Sequence, residues 1–270
     1  CISEPIDNDK IVRRECPSGL VAEYYPVGNR FVQLSFMESG FTPDPRTHVS
    51  AVQKMHVFPD DIIICAYPKS GTHWVYEMTK MLLKGEAEYD PSPKEVAMLE
   101  FHSLDIFDGM SRPRVLNSHN PVSEIPRGYI DGKGKVIFVQ RNPKDIVVSF
   151  YNHMINMHAA FPGTWEDFVY FAVKYGGYFS DWFQYTLDFD EELKRSTEMK
   201  CLNIYYEDIK RHETQEVSQI RLGSSIQSKI LKTPERKHKT DEHIMDTKRT
   251  RNTTIDFLAQ KETHINQHDE

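Results

Sequence analysis

Residues 61–74 give the strongest indication of the fold, and they read Asp61-Ile-Ile-Ile-Cys-Ala-Tyr-Pro-Lys-Ser-Gly-Thr-His-Trp74. An apolar run leads into a turn that contains Pro68 and Gly71, and a helical pattern follows the turn. A strand, a tight turn and a helix N-terminus in this order direct several backbone N–H groups at one point, where Lys69 adds a positive charge. The segment therefore predicts an anion-binding corner, although a strand–turn–helix without function is the alternative for so short a motif.

Short apolar runs alternate with helical patterns over residues 51–211. We predict strands at 61–67, 115–118, 136–140 and 201–206, and helices at 72–84, 143–158, 164–175 and 178–194. Three of these strands are apolar with little alternation, as is typical of strands in a parallel sheet that is covered on both faces. The order of strands and helices predicts an α/β fold, a single domain with a central parallel sheet flanked by helices.

The two ends of the chain differ in composition from this middle part. Residues 1–50 are rich in Pro, Gly and polar residues, and we predict irregular structure with short elements there. Residues 212–270 are poor in apolar residues and contain one aromatic residue, Phe257. That composition is close to the composition of disordered segments. The sequence therefore predicts an α/β domain over residues 1–211 and a divergent, polar C-terminal segment over residues 212–270.

The charge balance restricts the classes of partner. The 270 residues include 33 Lys and Arg against 40 Asp and Glu, which gives a formal charge of −7. An acidic chain is not expected to bind nucleic acid non-specifically, because such binding needs an excess of cations. The longest apolar runs are far shorter than the roughly 20 residues of a membrane-spanning helix. The four cysteines form no Cys-x-x-Cys pair, which favours a cytoplasmic protein without a disulfide framework or a zinc site.

A second strand-to-helix corner lies at residues 136–151, which read Val136-Ile-Phe-Val-Gln-Arg-Asn-Pro-Lys-Asp-Ile-Val-Val-Ser-Phe-Tyr151. Arg141 follows the predicted strand and offers a forked guanidinium, which suits a phosphate. Ser149 lies eight residues further on, about two helical turns away, and can add a hydroxyl donor. The alternative for Arg141 is a surface ion pair with Asp145.

The order Tyr67-Pro-Lys-Ser-Gly-Thr72 differs from a nucleotide P-loop, because Lys69 precedes the only glycine of the turn. With Trp74 after it, this order resembles the 5′-phosphosulfate loop of the cytosolic-type sulfotransferases. Residues 136–151 resemble the 3′-phosphate motif of the same family. Further agreement in order and spacing is found at residues 117–121, 162–168 and 205–208. The resemblance covers about residues 55–211 and implies a P-loop-like phosphate-binding turn in an α/β domain.

The resemblance implies that the donor substrate is 3′-phosphoadenosine 5′-phosphosulfate (PAPS) and that no metal is needed. The residues that it assigns to donor binding are Lys69, Ser70, Gly71, Thr72, His73, Trp74, Arg141, Ser149 and Tyr206. Taken without the resemblance, Trp74 and Tyr206 can equally be aromatic packing residues.

His119 stands in the position of the family's catalytic base. An imidazole with a pKa near 6.5 is mostly neutral at pH 7 and can accept the proton of a phenol or an alcohol. Lys69 is the candidate for neutralising charge on the leaving oxygen. The resemblance assigns the acceptor side to Asn117, His119, His153 and Phe161, with Met154 and Met157 nearby. Ordinary helix and loop packing is the alternative for Phe161 and the two methionines.

The sequence departs from the family pattern in places that bear on activity. Asn117 stands two residues before His119, where the family usually has Lys, so one expected positive charge is missing. The Arg-Lys-Gly-x-x-Gly segment that closes over the 3′-phosphate, the Thr-Ser-Phe run upstream of it and the usual dimerisation motif are not found in residues 212–270. Arg249 and Arg251 are candidates to replace the closing segment.

We expect an active sulfotransferase that acts on a small phenol, catecholamine or steroid-like alcohol, without a nucleic-acid or membrane partner and with homodimerisation left open. The alternative is a catalytically impaired remnant that binds adenosine phosphates. A P-loop kinase is disfavoured, because the upstream glycine and an acidic magnesium ligand are not found. No metal site is expected at the tail histidines, because no ligand spacing repeats among His238, His243, His264 and His268.

Overall fold

A computed structural model of the chain describes residues 11–27, 30–33, 45–86, 88–89, 93–156, 161–176, 179 and 181–211. The chain divides into two units, Cys1–Ile230 and Leu231–Glu270, and the described residues all lie in the first unit. The polar segment 212–270 and Met157 lie outside the described residues, so the expectations for them stay predictions. Among the described residues, no helix is long and apolar enough to span a bilayer.

Short strands and helices alternate along the described chain. The strands are β1 Val12–Glu15, β2 Val21–Val27, β3 Arg30–Gln33, β4 Ile62–Ala66, β5 Val115–Ser118, β6 Lys135–Gln140 and β7 Lys200–Tyr205. The helices are α1 Pro45–Gln53, α2 Thr72–Lys84, α3 Leu104–Asp108, α4 Arg127–Ile130, α5 Pro143–Asn156, α6 Trp165–Lys174, α7 Trp182–Arg195 and α8 Tyr206–Arg211, with 3-10 helices at Lys94–Ala97 and Val122–Glu124.

Four strands form a parallel sheet in the order β5-β4-β6-β7. Strand β4 is internal, and its Ile64 lies opposite Asn117 of β5 on one side and Ile137 of β6 on the other. Each of the four strands predicted from the sequence is present, and its bounds differ from the predicted ones by at most one residue at either end. The predicted α/β fold with a central parallel sheet is confirmed.

Both faces of the parallel sheet are covered. Along β4, Ile63 and Cys65 belong to one hydrophobic cluster, Ile62 and Ile64 belong to another, and each side chain is at most 2% exposed. Full burial of one aliphatic side chain of this size contributes about 1.5–3 kcal/mol to stability. Burial on both faces therefore explains why these strands are apolar without alternation.

Helix α2 is bounded by two glycines with positive φ angles. Gly71 precedes the helix with φ 99° and Gly85 follows it with φ 76°, and the Gly85 N–H donates to the Met81 carbonyl oxygen at 2.8 Å. Glycine adopts this left-handed backbone conformation without the steric cost of a Cβ atom. The helix therefore has the bounds 72–84 that the sequence predicts.

Side-chain caps fix the starts of α6 and α7. The Thr164 hydroxyl accepts the Asp167 N–H at 3.3 Å, and the Asp167 carboxylate accepts the Thr164 N–H at 2.9 Å, which is a reciprocal capping box. The predicted cap at Thr164 is confirmed. The predicted start of α7 at residue 178 is wrong: the helix begins at Trp182, because the Asp181 carboxylate accepts the Phe183 N–H at 2.8 Å and caps it there.

The N-terminal region has more regular structure than the sequence predicts. Strands β1, β2 and β3 form an antiparallel sheet in that order, and helix α1 follows it in the chain. Ala22 and Tyr24 are buried while Glu23 between them is half-buried, so β2 has the two-residue period of a strand packed on one face. Pro26 weakens this period as a sequence signal, because proline is disfavoured within strands.

Two buried charges are paired at the amino end of the parallel sheet. Arg114 precedes β5 and Asp61 precedes β4, and each residue is at most 2% exposed. The Arg114 Nε donates to the Asp61 Oδ1 at 3.0 Å, and the guanidinium also donates to the carbonyl oxygens of His56 at 2.9 Å and Phe107 at 3.2 Å. These hydrogen bonds offset the desolvation of both charges.

Candidate functional site

The carboxyl ends of the four parallel strands meet at one edge of the sheet. Strand β4 leads into the loop 67–71, β5 into His119, β6 into Arg141 and β7 into Tyr206. Ligands of open α/β sheets bind outside this edge, because strand ends and helix N-termini converge there. The fold therefore brings the leading residues of the predicted site together from distant parts of the chain.

The loop between β4 and α2 has a backbone that few residues other than glycine adopt. Lys69 has a φ of 68° and Gly71 has a φ of 99°, both in the left-handed region. A Cβ atom on Gly71 would lie 2.6 Å from the Cδ2 of Tyr206, so glycine is required at this position. The buried hydroxyl of Ser70 has no hydrogen-bond partner among the described residues. The loop therefore presents a buried hydroxyl that can donate to a ligand.

Arg141 joins the two predicted corners. Its Nη1 donates to the Lys69 carbonyl oxygen at 2.7 Å, and its Cζ lies 4.3 Å from the centroid of the Tyr206 ring. The guanidinium is thus held by a charge-assisted hydrogen bond and a cation–π contact rather than by Asp145. The buried Nε of Arg141 has no partner within the described part of the chain. The two corners are in contact, and Arg141 retains an N–H that can bind an anion.

Aromatic and polar contacts extend this cluster to α2 and α8. The Trp74 ring packs edge-on against the Tyr206 ring with 5.9 Å between the centroids. The Asn142 N–H donates to the Glu207 Oε1 at 2.9 Å, which connects the residue before α5 to α8. Tyr206 thus lies between Trp74 and Arg141. Stacking of an adenine on either aromatic ring stays a prediction.

The imidazole of His119 is oriented by the neighbouring strand. Its Nδ1 lies 2.7 Å from the Ala66 carbonyl oxygen, and a carbonyl oxygen can only accept a hydrogen bond. The Nδ1 atom therefore carries the proton, and Nε2 has the lone pair. The Phe179 ring packs edge-on against the imidazole at 5.7 Å between centroids, and His119 is 8% exposed. This arrangement holds the neutral tautomer whose basic atom is Nε2.

The surroundings of His119 disfavour its charged form. Burial, followed by the positive charges of Lys94 and Lys69, lowers the pKa of His119 to about 3. Burial, followed by the charges of Lys94 and Arg141, also lowers the pKa of Lys69. Several cations therefore act on one another at this edge of the sheet, and the positive local charge suits an anionic ligand.

Glu100 holds the segment that carries His119. Its Oε1 accepts the Ser118 hydroxyl at 2.6 Å, the Asn120 N–H at 2.9 Å and the His119 N–H. Burial raises the pKa of Glu100 against the effect of these hydrogen bonds. Glu100 lies 19 residues before His119 and belongs to no motif of the sequence, so only the fold identifies this contact.

Asn117 in β5 pairs with the segment that begins at Lys94. Asn117 is fully buried, and neither polar atom of its side chain has a hydrogen-bond partner in the ranges that the structure describes. Lys94 begins the 3-10 helix that leads to Met98, and Met98 forms a parallel bridge with Asn117. The sequence-based expectations do not include Lys94, because a bridge between distant segments places it there.

The remaining donor-side residues lie at the starts and along the faces of two helices. Thr72 is buried at the first position of α2, while His73 beside it is exposed. Ser149 is half-buried on α5, and Met154 on the same helix is buried in the hydrophobic core. The predicted roles of Thr72, His73 and Ser149 in donor binding stay predictions.

The remaining acceptor-side residues, His153 and Phe161, differ in solvent exposure. His153 is exposed on α5. Desolvation of its ring, followed by the charges of Lys69 and Lys94, lowers its pKa. Phe161 is 5% exposed and packs edge-on against Phe168 at 5.2 Å between centroids. Its contacts within the described residues are thus core packing, and its role as a wall of an acceptor pocket stays a prediction.

Comparison with known proteins shows which family the chain resembles. The family model described as "Sulfotransferase domain" matches residues 59–252. The chain is 35% identical over 196 residues to sulfotransferase 1A1 of Rattus norvegicus, with 66% of this chain and 65% of the rat protein covered. It is 34% identical over 189 residues to sulfotransferase 1A1 of Mus musculus, with 65% of this chain and 64% of the mouse protein covered. The matched region thus spans slightly less than two thirds of each relative's length.

A solved structure is similar over a larger part of the chain. It is a mouse sulfotransferase complexed with PAP, and it superposes with a TM-score of 0.57 at 21% sequence identity. The superposition covers 83% of this chain and 74% of the mouse chain. At this level of identity the similarity supports the fold and carries nothing about individual residues.

Proposed function

This chain belongs to the sulfotransferase family, and we propose that it transfers a sulfuryl group from PAPS to the hydroxyl or amine of a small acceptor, such as a phenol, a catecholamine or a steroid-like alcohol. The observation that carries the proposal is the contact between the two corners, in which Arg141 donates to the Lys69 carbonyl oxygen at 2.7 Å. This contact lies on the same sheet edge as the Nε2 of His119. The names of the rat and mouse relatives support the same chemistry.

The donor side of the site fits a doubly phosphorylated adenosine. Lys69, Ser70 and Thr72 would hold the 5′-phosphosulfate, while Arg141 and Ser149 would hold the 3′-phosphate. Ser70 Oγ and Arg141 Nε, which have no partner among the residues that the structure describes, are both hydrogen-bond donors, which phosphate oxygens require. The mouse sulfotransferase of similar fold was solved with PAP, which is 3′-phosphoadenosine 5′-phosphate. That complex supports the same nucleotide as a ligand of this chain.

In the proposed reaction the bond from sulfur to the 5′-phosphate oxygen breaks, and a bond from sulfur to the acceptor oxygen or nitrogen forms. The electron pair of the broken bond stays on the phosphate, and the proton of the acceptor goes to the Nε2 of His119. We expect a loose transition state, as in phosphoryl transfer, for which positioning and charge stabilisation matter most. Lys69 then stabilises the charge that develops on the leaving oxygen.

The low pKa of His119 has two consequences for its role as a base. A pKa of about 3 leaves the imidazole neutral at pH 7, so the Nε2 lone pair needs no prior deprotonation. The same pKa makes His119 a weak base in the protein without ligand. An anionic donor beside Lys69 opposes the charges that disfavour the imidazolium, so donor binding should raise the pKa of His119. The base is therefore strongest when the donor is in place.

Incubation of the protein with labelled PAPS and a panel of phenols, amines and steroid alcohols tests the proposal. We expect labelled product from at least one acceptor class, and we expect PAP to bind in calorimetry. PAP binding without transfer to any acceptor would instead support the catalytically impaired remnant. A protein that neither binds PAP nor transfers sulfate would contradict both functions, and magnesium-dependent ATP consumption would favour a kinase.

A further inference from the structure

Lys94 is a largely buried lysine with few partners of its own. Its side chain is 12% exposed, and its Nζ lies 3.7 Å from the Met98 Sδ and 3.3 Å from the Glu95 Oε1. A thioether sulfur is a weak acceptor, and the Glu95 side chain is 53% exposed. Desolvation of a charge is costly unless strong partners replace the water. The contacts that Lys94 makes with the described residues therefore leave its ammonium group able to bind an anion.

The chain places Lys94 next to the strand that carries the proposed base. The 3-10 helix that begins with Lys94 leads to Met98, which forms a parallel bridge with Asn117. The Leu99 N–H donates to the Asn117 carbonyl oxygen at 3.0 Å, which continues this pairing. The Nζ of Lys94 lies 3.7 Å from the Sδ of Met98, and Asn117, the partner of Met98, lies two residues before His119. The ammonium group of Lys94 is therefore close to the strand that carries the proposed base.

The electrostatic interactions of Lys94 agree with this position. After burial, the charge of Lys94 is the largest influence on the pKa of Lys69 and on the pKa of His119, and it lowers both. It also lowers the pKa of His153, after burial and the charge of Lys69. Such interactions weaken with distance and are screened by solvent. Lys94 therefore acts at the proposed leaving-group cation, at the proposed base and at the predicted mouth of the acceptor pocket.

We propose that Lys94 is a further catalytic residue that binds a non-bridging oxygen of the sulfuryl group during its transfer to the acceptor. This inference rests on the proposed function. The sulfuryl oxygens carry negative charge from the start of the transfer to its end, and a cation that acts on both Lys69 and His119 stabilises that charge throughout. The neutral side chain of Asn117 supplies no positive charge at the end of β5, and Lys94 supplies it from the neighbouring segment.

Calorimetry with PAPS and with PAP separates a contact to the sulfuryl group from a contact to the nucleotide. Lys94→Met removes the charge at similar length, Lys94→Arg restores a cation, and Lys84→Met at the exposed end of α2 is the matched control. We expect Lys94→Met to weaken PAPS binding by about tenfold, as for one hydrogen bond to a charged group, with unchanged PAP affinity. Because Lys94 binds the sulfuryl group in the bound donor as well as in the transition state, kcat/KM for PAPS should fall by about tenfold, with partial recovery in Lys94→Arg.

The outcomes distinguish this inference from the proposed function. Retained PAP affinity in Lys94→Met shows that the variant is folded. If the wild-type protein transfers sulfate and Lys94→Met keeps its PAPS affinity and its kcat/KM for PAPS, the role of Lys94 is overturned alone. An effect confined to the KM of anionic acceptors, or an equal loss of PAP and PAPS affinity, also overturns it, because neither reports a contact with the sulfuryl group. A wild-type protein without PAP binding or transfer would overturn the proposed function together with this inference.

Discussion

The amino end of the parallel sheet carries a buried ion pair, whereas three polar side chains at its carboxyl end have buried atoms without a partner among the described residues. At the amino end, Arg114 and Asp61 are paired, and the guanidinium has two further carbonyl partners. At the carboxyl end, side-chain atoms of Ser70, Asn117 and Arg141 are buried without a partner in the described part of the protein. An unsatisfied buried polar group costs about 1–3 kcal/mol of stability. The charges at the amino end are therefore satisfied within the protein, while the carboxyl end retains groups that a bound ligand can satisfy.

The largest expected effect is on turnover at the carboxyl end. His119→Ala removes the proposed Nε2 base, and because general-base catalysis contributes about 10²- to 10⁴-fold, kcat should fall by about that factor. Calorimetry should show retained PAP affinity, since the imidazole is assigned to the acceptor. His56→Ala, which changes an exposed ring packed on Phe58, is the control. A His119→Ala variant with wild-type kcat would remove His119 from the mechanism.

The next effect is on stability at the amino end. Arg114→Met leaves the carboxylate of Asp61 buried and unpaired, so the free energy of unfolding should fall by about 3–5 kcal/mol in urea denaturation. Arg112→Met is a matched control two residues away, because the ion pair of Arg112 with Asp60 is exposed and should contribute only about 0–1 kcal/mol. An equal fall in the free energy of unfolding for the two variants would mean that loss of the buried pair costs no more than loss of the exposed pair.

A smaller effect, on nucleotide affinity, is expected when a side chain is added to the loop 67–71 that follows β4. Gly71→Ala places a Cβ atom against the Tyr206 ring and should displace Arg141, which stacks on that ring. We expect PAP binding in calorimetry to weaken by about 10- to 100-fold, the loss of one charged hydrogen bond.

Gly85→Ala is the control for this crowding. Gly85 also has a positive φ angle, at the other end of α2, but a Cβ atom there would meet nothing within 4 Å. Both variants therefore carry backbone strain, and only Gly71→Ala carries the clash. Similar PAP affinities in the two variants would show that the packing of Tyr206 does not matter for the donor site.

A still smaller effect is expected from a single hydroxyl. Ser70→Ala removes a buried oxygen that has no partner in the described ranges, so the stability should stay the same or rise slightly, while PAP affinity should fall by about 2- to 12-fold. Thr79→Val in α2 removes a buried hydroxyl that donates to the Val75 carbonyl oxygen at 2.7 Å. That variant should lose stability and keep its PAP affinity. The reverse pattern would contradict the assignment of the Ser70 hydroxyl to a ligand.

The smallest expected effect concerns the protonation of His119 in the folded protein, which should not change between pH 8 and about pH 5. The pKa of His119 is lowered to about 3, so NMR titration of its ring nitrogens should show a neutral imidazole from pH 8 down to about pH 5. Because the folded-state pKa lies below the unfolded value, the stability contribution of the neutral ring is complete above about pH 6.5 and is lost as the pH falls towards 3. A titration midpoint near 6.5 would show that His119 is solvated like an ordinary histidine.

The placement of the two corners at neighbouring strand ends was largely predictable from the sequence, because a strand, a turn and a helix are consecutive in each corner. Helix α2 and strand β5 have the bounds that the sequence predicts, and Lys69 and Arg141 lie at the ends of neighbouring parallel strands. The positive φ angle at Gly71 also follows from local sequence, since a tight turn into a helix favours glycine.

The surroundings of His119 were not predictable in the same way. Lys94 and Glu100 act on His119 from one distant segment and Phe179 acts on it from another, and no local pattern connects them to it. The same limit applies to the antiparallel sheet near the N-terminus, whose strands are short and carry a proline. Contacts of this kind depend on how distant segments pack, so motifs and periodicity do not indicate them.

A crystal structure of the protein with PAP and 4-nitrophenol would test the proposed geometry most directly. We expect the 5′-phosphate at Lys69 and Ser70, the 3′-phosphate at Arg141, and the phenol oxygen within hydrogen-bond distance of the Nε2 of His119. Phosphates bound away from the two corners, or a phenol oxygen out of reach of that nitrogen, would contradict the assignment of this sheet edge to sulfuryl transfer.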